Sequence, residues 1–379
     1  MNELQQLLCL VRHVLFGEAL PQEMDWKRMR SLAFYHHLEG FLYYAMRGRN
    51  DVDESIKAEC KKKQMVFVAQ QLGQDAAAKA IYEALAKAGI RYMPLKAIWF
   101  RPLYPTPDLR FSCDIDFYFD SSHAKGVHSL LVAQGFVKER EDVHNYVYTK
   151  GILTVEPHFA IADGDKEAAY FGDVWTRATT QDGTLYTFSD EDCYIYHLLH
   201  TYKHMLHGGA GVRSVIDTWL WNKNKPQMNQ AYLEAEYEKL GIAKFAKAIE
   251  RLSRVWFDGE AGDEDMTCLE TFVLQGGVYG TETQWAHMGY VEGNDPASLR
   301  RAKRRYLWKR MFPTYRDLCI SYPVVKKWPI LVPFVWVHRI IKALFTSKKK
   351  RIGDSIGVAQ SIDQKGATLV SRVKTIIGA

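Results

Sequence analysis

The 379 residues of this chain lack two sequence patterns, paired cysteines and long apolar runs, that would identify its class of protein. The six cysteines include no CxxC pair, which argues against a disulfide framework or a zinc ribbon and favours a reducing compartment. No run of about 18 uninterrupted apolar residues occurs, so a membrane-spanning helix is not expected. Polar and acidic residues interrupt the first 20 residues, which indicates an amphipathic helix instead of a signal peptide. We therefore expect a cytoplasmic protein.

Acidic residues are nearly absent from one part of the chain. Between Arg300 and Arg351 there are 16 lysines and arginines and one acid, Asp317. This segment carries a net charge of +15 against +6 for the whole chain, which leaves −9 on the remainder. The pattern is that of a mildly acidic body with a strongly basic region near the C-terminus, and such a region is typical of contact with an anionic partner.

The periodicity of apolar residues divides the chain into four parts and predicts an α+β protein. Residues 1–88 and 189–275 follow a helical period, and residues 276–379 form a basic, partly amphipathic region. Residues 89–188 predict the order strand, helix, strand, helix and hairpin, which is a mixed α/β core. The glycine-rich, polar stretch from about 276 to 299 predicts a loop.

Two carboxylates share one face of a predicted strand in "RFSCDIDFYFD". Alternation places Asp114 and Asp116 on the same side, about 6–7 Å apart along the chain. A buried pair of this kind needs a cation or one raised pKa, and Mg²⁺ suits carboxylate oxygens. Glu156, on the second strand of the predicted hairpin, is the expected third carboxylate. A water-exposed acid pair at a sheet edge is the alternative.

The stretch "GIRYMPLKAIWFRPLYPTPDLRFSCDIDFYFD" resembles an uncharacterised bacterial nucleotidyltransferase family of the DNA polymerase β-type superfamily. That family has a strand ending in Leu-Lys-Gly, a helix, a proline-containing segment and then Asp-hydrophobic-Asp. A later strand carries an acid two residues before a histidine, matched here by Glu156 and His158. The resemblance covers residues 89–159 and implies a polymerase-β-like core flanked by helical regions.

The resemblance implies a function and a set of site residues. Asp114, Asp116 and Glu156 would be the catalytic and metal-binding residues, with Mg²⁺ or Mn²⁺ as the cofactor. The reaction would be transfer of NMP from an NTP, with ATP the first expectation, to an unidentified small-molecule or protein acceptor. Lys96 and Arg110 would be cations directed at phosphate.

One position departs from the family pattern. Ala97 stands where the family usually has glycine, at a turn where the backbone approaches the nucleotide. A Cβ disfavours positive φ. Either the turn is ordinary here or nucleotide binding is weakened, and the second reading would suit a non-catalytic scaffold.

A histidine-rich helix follows the core. His197, His200, His204 and His207 recur at spacings of 3, 4 and 3, which places them on one helical face. The face could hold a metal, contact nucleotide or acceptor, or be structural. We assign Lys203, His204 and Arg213 as further candidates for nucleotide binding. Asp217, four residues after Arg213, is its expected ion-pair partner.

The basic region combines lysines with interleaved aromatic residues. In "YPVVKKWPILVPFVWVHRIIKALFTSKKKR", Trp328, Phe334 and Trp336 stand beside Lys326, Lys327, Arg339 and Lys348. This composition suits an anionic membrane surface, and it also suits RNA or a helix that docks on the protein itself. The alternative function is a non-catalytic scaffold that binds membrane or RNA through this region, peripheral to a membrane in the first case.

Overall fold

The computed structural model describes residues 2–161, 165–180, 182–278, 280–290, 296–345 and 349–379. The chain forms two compact units. The first contains residues 1–200 and 213–261, and the second contains residues 201–212 and 262–379. The four-part division at residues 88, 188 and 275 stays a prediction.

The predicted helical N-terminal region is confirmed. Its helices are α1 (Glu3–Phe16), α2 (Trp26–His36), α3 (Glu39–Met46) and α4 (Glu54–Lys87). Asn2 and Gln5 form a capping box at the start of α1, and the Asp53 side chain caps α4. Gly89 follows α4 with a φ of 66°, the conformation that glycine adopts most easily after a helix.

A five-stranded mixed sheet forms the centre of the first unit. Its strands are β1 (Tyr92–Pro94), β2 (Ile115–Phe119), β3 (Val137–Glu141), β4 (Tyr146–Lys150) and β5 (Leu153–His158), in the spatial order β1-β2-β5-β4-β3. β2 and β5 are parallel, and the other neighbours are antiparallel. The predicted hairpin is β4–β5. The sequence reading missed β3, whose side chains are all exposed.

Alternation along the strands gives the sheet one apolar face. Ile115, Phe117 and Phe119 of β2 and Val155 of β5 pack with apolar residues of α4 and of α6 (Ala124–Ala133). The carboxylates of β2 and β5 therefore lie on the opposite face of the sheet. This arrangement of sheet and helices confirms the predicted α+β class and is consistent with a polymerase-β-like core.

The rest of the first unit is mostly helical. The short helix α5 (Ala97–Phe100) follows β1. The α-helices and strands that follow the five-stranded sheet are α7 (Asp165–Phe171), α8 (Val174–Arg177), β6 (Thr179–Thr180), β7 (Tyr186–Thr187), α9 (Asp190–Leu206), α10 (Val212–Asn224), α11 (Gln230–Leu240) and α12 (Ala243–Phe257). The Ser189 hydroxyl accepts a hydrogen bond from the Asp192 amide at 3.1 Å and so caps the start of α9.

The second unit is helical in the residues that the structure describes. Beyond the end of α9 its helices are α13 (Glu264–Gly276), α14 (Glu282–Tyr290), α15 (Pro296–Met311), α16 (Tyr315–Ser321), α17 (Pro323–Lys327), α18 (Val332–Phe345), α19 (Lys349–Ser361) and α20 (Gln364–Ile377). None of the helices in the described ranges is long and apolar enough to cross a membrane.

The predicted loop over residues 276–299 is wrong, because α14 and the start of α15 lie within it. Gly276 and Gly280 in this stretch allow close packing of backbone segments. A Cβ at Gly280 would lie 2.6 Å from the backbone of Gly208, and one at Gly209 would lie 2.9 Å from Gly276. Glycine composition indicated a loop, whereas the fold uses the missing side chains to bring two segments together.

Candidate functional site

Asp116 and Glu156 lie side by side on the polar face of the sheet. β2 and β5 run parallel with Asp116 directly opposite Glu156 and Tyr118 opposite His158. Because alternate residues of a strand share a face, His158 lies on the same side as Glu156. Asp116 is 4% exposed and His158 is 1% exposed. The acid-x-histidine pattern of β5 thus places both side chains beside the second aspartate of β2.

Two donors converge on one oxygen of Asp116. The Lys96 ammonium lies 2.7 Å from Oδ1, and Nε2 of His158 lies 2.8 Å from the same atom. The other oxygen, Oδ2, is buried and has no hydrogen-bond donor. A buried carboxylate oxygen without a partner is costly unless a cation or donor joins it. This oxygen is therefore a position at which a cation could be held.

Asp116 is charged, and its neighbours adjust to that charge. Burial alone would raise the pKa of Asp116, but the Lys96 ammonium and the hydrogen bond from His158 outweigh it and hold the pKa well below its usual range. Burial lowers the pKa of Lys96, yet the charge of Asp116 outweighs this and raises it above its ordinary value. Burial lowers the pKa of His158 to about 4, so its imidazole is neutral near pH 7 and donates through Nε2.

The two flanking carboxyls carry raised pKa values. Burial, followed by repulsion from Asp116, raises the pKa of Asp114 to about 6 and that of Glu156 to about 7. Asp114 accepts a hydrogen bond from the Ser112 hydroxyl at 3.0 Å, and Glu156 accepts one from the Asn145 amide at 2.7 Å. All three carboxyls share the Lys96 ammonium, and Arg140 makes a smaller contribution at Glu156. A further positive charge among the carboxyls would relieve their repulsion.

The donor set fits a divalent cation. One ligand atom each from Asp116, Glu156 and His158 lies within 4.8 Å of the others, and in the described part of the chain this is the only group of three or more acids, histidines or cysteines so close. Asp114 of the predicted triad is outside that group. Oxygen ligands suit Mg²⁺ and Mn²⁺. Nε2 of His158 makes the hydrogen bond to Asp116, whereas its Nδ1 is buried without a hydrogen-bond partner, so His158 could act as a ligand through Nε2 only by giving up that hydrogen bond.

The comparison with protein families agrees with this geometry. A sequence model described as an uncharacterised nucleotidyltransferase matches residues 22–258. The match begins before α2, ends after α12 and covers more than half of the chain. The chain belongs to this nucleotidyltransferase family. No curated protein and no solved structure matches it.

The backbone of the turn at Lys96 bears on the alanine at position 97. Lys96 has φ of 57° and ψ of −109°, and Ala97 is the first residue of α5. Among the described residues, His37 and Lys96 are the only two non-glycines with positive φ. The strained position is therefore the lysine itself, and the concern that a Cβ at 97 conflicts with positive φ does not apply.

Two of the predicted phosphate-binding arginines make contacts within the protein. Arg110 donates from Nε and Nη2 to Asp217 at 2.8–3.0 Å and from Nη1 to the Phe111 carbonyl at 3.1 Å. Arg213 donates to that same carbonyl at 2.9 Å. Asp217 also accepts from the Tyr104 hydroxyl at 2.6 Å. The Arg110–Asp217 pair ties the segment before β2 to α10, and the expected Arg213–Asp217 pair stays a prediction.

Three of the four predicted histidines, His197, His200 and His204, lie on α9, and His207 follows its last residue. His197 is buried and within 3.0 Å of the Thr218 hydroxyl, and burial lowers its pKa to about 4. Nδ1 of His207 lies 2.7 Å from the Lys203 carbonyl. The four histidines do not form a metal-binding group within the described ranges. Lys203 and His204 belong to the second unit, and their assignment to nucleotide binding stays a prediction.

Sequence reasoning missed two contributors to the site. The family resemblance singles out His158 without giving it a role, and Asn145 was not considered. The signal for His158 was available: two residues after Glu156 on a strand means the same face. Asn145 precedes β4 and reaches Glu156 only because β4 and β5 pair, which no local pattern reveals.

Proposed function

We propose that this chain is a nucleotidyltransferase that moves an NMP group from an NTP to an acceptor hydroxyl and depends on Mg²⁺ or Mn²⁺. The observation that carries the proposal is the buried, donorless Oδ2 of Asp116 beside Glu156. ATP is the nucleotide to test first, and the acceptor is a small molecule or a protein side chain.

Asp116 and Glu156, with Asp114 beside them, would hold the metal. Bound there, a divalent cation would neutralise charge on the triphosphate and on the leaving pyrophosphate. His158 fixes Oδ1 of Asp116 from the side, which leaves Oδ2 for the metal. Asn145 fixes Glu156 in the same way. These hydrogen bonds hold the carboxylates in place before substrate arrives.

The bond changes assign roles to Glu156 and Lys96. The acceptor oxygen forms a bond to the α-phosphorus while the bond from that phosphorus to the bridging oxygen breaks, and pyrophosphate leaves. The acceptor proton passes to the Glu156 carboxylate. Lys96, already within 2.7 Å of Asp116, places its ammonium where it offsets the negative charge of the triphosphate.

The test uses each NTP labelled at the α-phosphate, with Mg²⁺ or Mn²⁺ and pools of hydroxyl-bearing small molecules or proteins. We expect the label to move to an acceptor with release of pyrophosphate, and Asp116→Asn to abolish the transfer. Asp120→Asn is the matched control, because Asp120 follows the same strand and caps a turn at Ser122. Transfer that survives Asp116→Asn would overturn the assignment of the site.

A non-catalytic scaffold is the second candidate, and the Lys96–Asp116 ion pair favours it. An internal ammonium already neutralises one oxygen of Asp116, so the fold does not require a metal for its own stability. Calorimetry with ATP separates the two functions. The enzyme requires nucleotide affinity that depends on Mg²⁺ and is lost in Asp116→Asn, whereas the scaffold predicts no such affinity.

A further inference from the structure

The second unit exposes a stripe of large apolar side chains. Phe334, Val337 and Ile341 follow one another at spacings of 3 and 4 on one face of α18, and Ile330 lies in the 3-10 turn just before that helix. The exposed fractions of Ile330, Phe334, Val337 and Ile341 are 77%, 69%, 56% and 51%. Trp328, immediately before them, is 63% exposed. We call these five residues the apolar stripe.

The apolar stripe is not the side of α18 that packs into the core, because the opposite side of the helix does so. Val335 lies in a small core with Leu318 and Val325. The indole nitrogen of Trp336 donates to the Pro313 carbonyl at 3.0 Å. The helix is therefore held in its unit by one face while the other presents apolar groups to solvent. Water-exposed apolar patches of this kind mark interaction surfaces.

Positive charge surrounds the stripe. Lys326 and Lys327 directly precede Trp328 and are exposed. The segment from residue 300 to residue 351 holds 16 basic residues and one acid. That acid, Asp317, is engaged at the start of α16, where it accepts from the Thr314 hydroxyl at 2.7 Å. The stripe thus has a basic border at Lys326 and Lys327 and lies in a basic part of the chain, which favours a partner that is apolar inside and anionic at its surface.

We propose that the apolar stripe and its lysines bind the surface of an anionic lipid bilayer. An interfacial helix of this type lies in the membrane plane, with apolar side chains among the acyl chains and lysines at the headgroups. RNA fits less well, since Ile330, Val337 and Ile341 offer neither a stacking ring nor a hydrogen-bond donor. A second copy of the chain fits less well because two such basic borders repel each other.

The proposal is tested by flotation of the full-length protein with lipid vesicles. One set contains phosphatidylcholine alone and the other contains about 30% phosphatidylserine. We expect binding to the anionic set, little binding to the neutral set, and release by about 0.5 M salt. Ile330→Ser with Phe334→Ser should lower the fraction bound at least about 10-fold, because two apolar anchors are lost. Lys326→Glu with Lys327→Glu should remove the preference for anionic vesicles.

Exposed apolar residues of the first unit supply the matched control. Leu72 and Ile152 are 65% and 67% exposed, and Leu72→Ser with Ile152→Ser should leave flotation unchanged. Val337→Ser alone provides a milder variant if the double substitution fails to fold, as judged by circular dichroism. Equal flotation of the wild type and a folded stripe variant would overturn the proposal. Two other results would also overturn it if the wild type does not bind vesicles. One is a wild-type dimer that is lost in the stripe variant, and the other is preferential binding of single-stranded RNA.

Discussion

Asp116 and Glu156 lie directly opposite each other on parallel strands, although 39 residues separate them in the sequence. The parallel pairing of β2 and β5 requires the α6–β3–β4 excursion between them. The excursion returns the chain beside β2 in a register that aligns the two carboxylates. The site therefore depends on sheet topology. Its other side chains are arranged around one buried charge, that of Asp116.

His158 is expected to act through Asp116. His158→Ala removes the hydrogen bond at Oδ1 and frees the carboxylate to rotate, so we expect a 10–100-fold loss of metal affinity, about the effect typical of a lost supporting hydrogen bond. His158→Gln retains an amide donor and should recover much of this affinity. Calorimetry with Mn²⁺ measures both. If His158 is instead a direct ligand, the glutamine variant will be as weak as the alanine variant.

Lys96 is expected to act as an internal counterion. Lys96→Met leaves Asp116 buried without its cation, which should lower the free energy of unfolding by about 3–5 kcal/mol. Saturating Mg²⁺ or Mn²⁺ should restore stability more in Lys96→Met than in the wild type, because the metal supplies the missing charge. Urea unfolding with and without metal measures the difference.

A double substitution and a distant lysine control that experiment. Lys96→Met with Asp116→Asn should be less destabilised than Lys96→Met alone, since the unpaired charge is gone. Lys79→Met, at a lysine whose side chain is 78% exposed on α4, should be nearly silent. An equal effect of metal on the wild type and Lys96→Met contradicts the counterion role.

The sequence predicts the parts of this site that depend on alternation. Asp114 and Asp116 on one face of a strand, Glu156 on a neighbouring strand and the β4–β5 hairpin all follow from period-2 patterns and the family resemblance. Residue types alone could not predict that the Lys96 ammonium contacts Asp116, because that contact depends on a left-handed backbone at Lys96. Nor could they pair Arg110 with Asp217 across 107 residues, since both charges had plausible local partners.

Two interpretations of the sequence were based on residue composition, although packing decides both. Glycines near residue 280 read as a loop, yet they permit close backbone contact with Gly208 and Gly209. Ala97 left two possibilities open, an ordinary turn or weakened nucleotide binding, and the unusual dihedral angles of the turn belong to the preceding residue. In both cases the three-dimensional neighbour, and not the residue type, decides what a glycine or its absence means.

Ala97→Gly tests that second point. Because Ala97 is helical and only 7% exposed, glycine adds no needed freedom and removes a buried methyl group. We expect stability to fall by about 1 kcal/mol and nucleotide affinity to stay the same or decrease. Calorimetry with ATP and Mg²⁺ measures the affinity. A several-fold gain would show that the Cβ of Ala97 obstructs the nucleotide after all.

Glu39 is expected to make stability depend on pH. It is 4% exposed at the start of α3, its Oε2 has no hydrogen-bond partner, and burial raises its pKa to about 7. The folded state therefore holds this proton in a range where the unfolded chain, with a pKa near about 4.3, releases it. The resulting stability is present at low pH and is lost as pH rises through about 7, by about 2 kcal/mol between pH 5.5 and 8.5.

Glu39→Gln isolates that contribution. The variant cannot titrate at this position, so its stability relative to the wild type should rise by about 2 kcal/mol from pH 5.5 to pH 8.5. Urea unfolding at a series of pH values gives the difference directly, and other titrating groups cancel because both proteins contain them. Glu23→Gln, at an exposed glutamate, should show no such trend. A constant difference between wild type and Glu39→Gln would mean that Glu39 stays ionised in the folded protein and finds a partner for its charge.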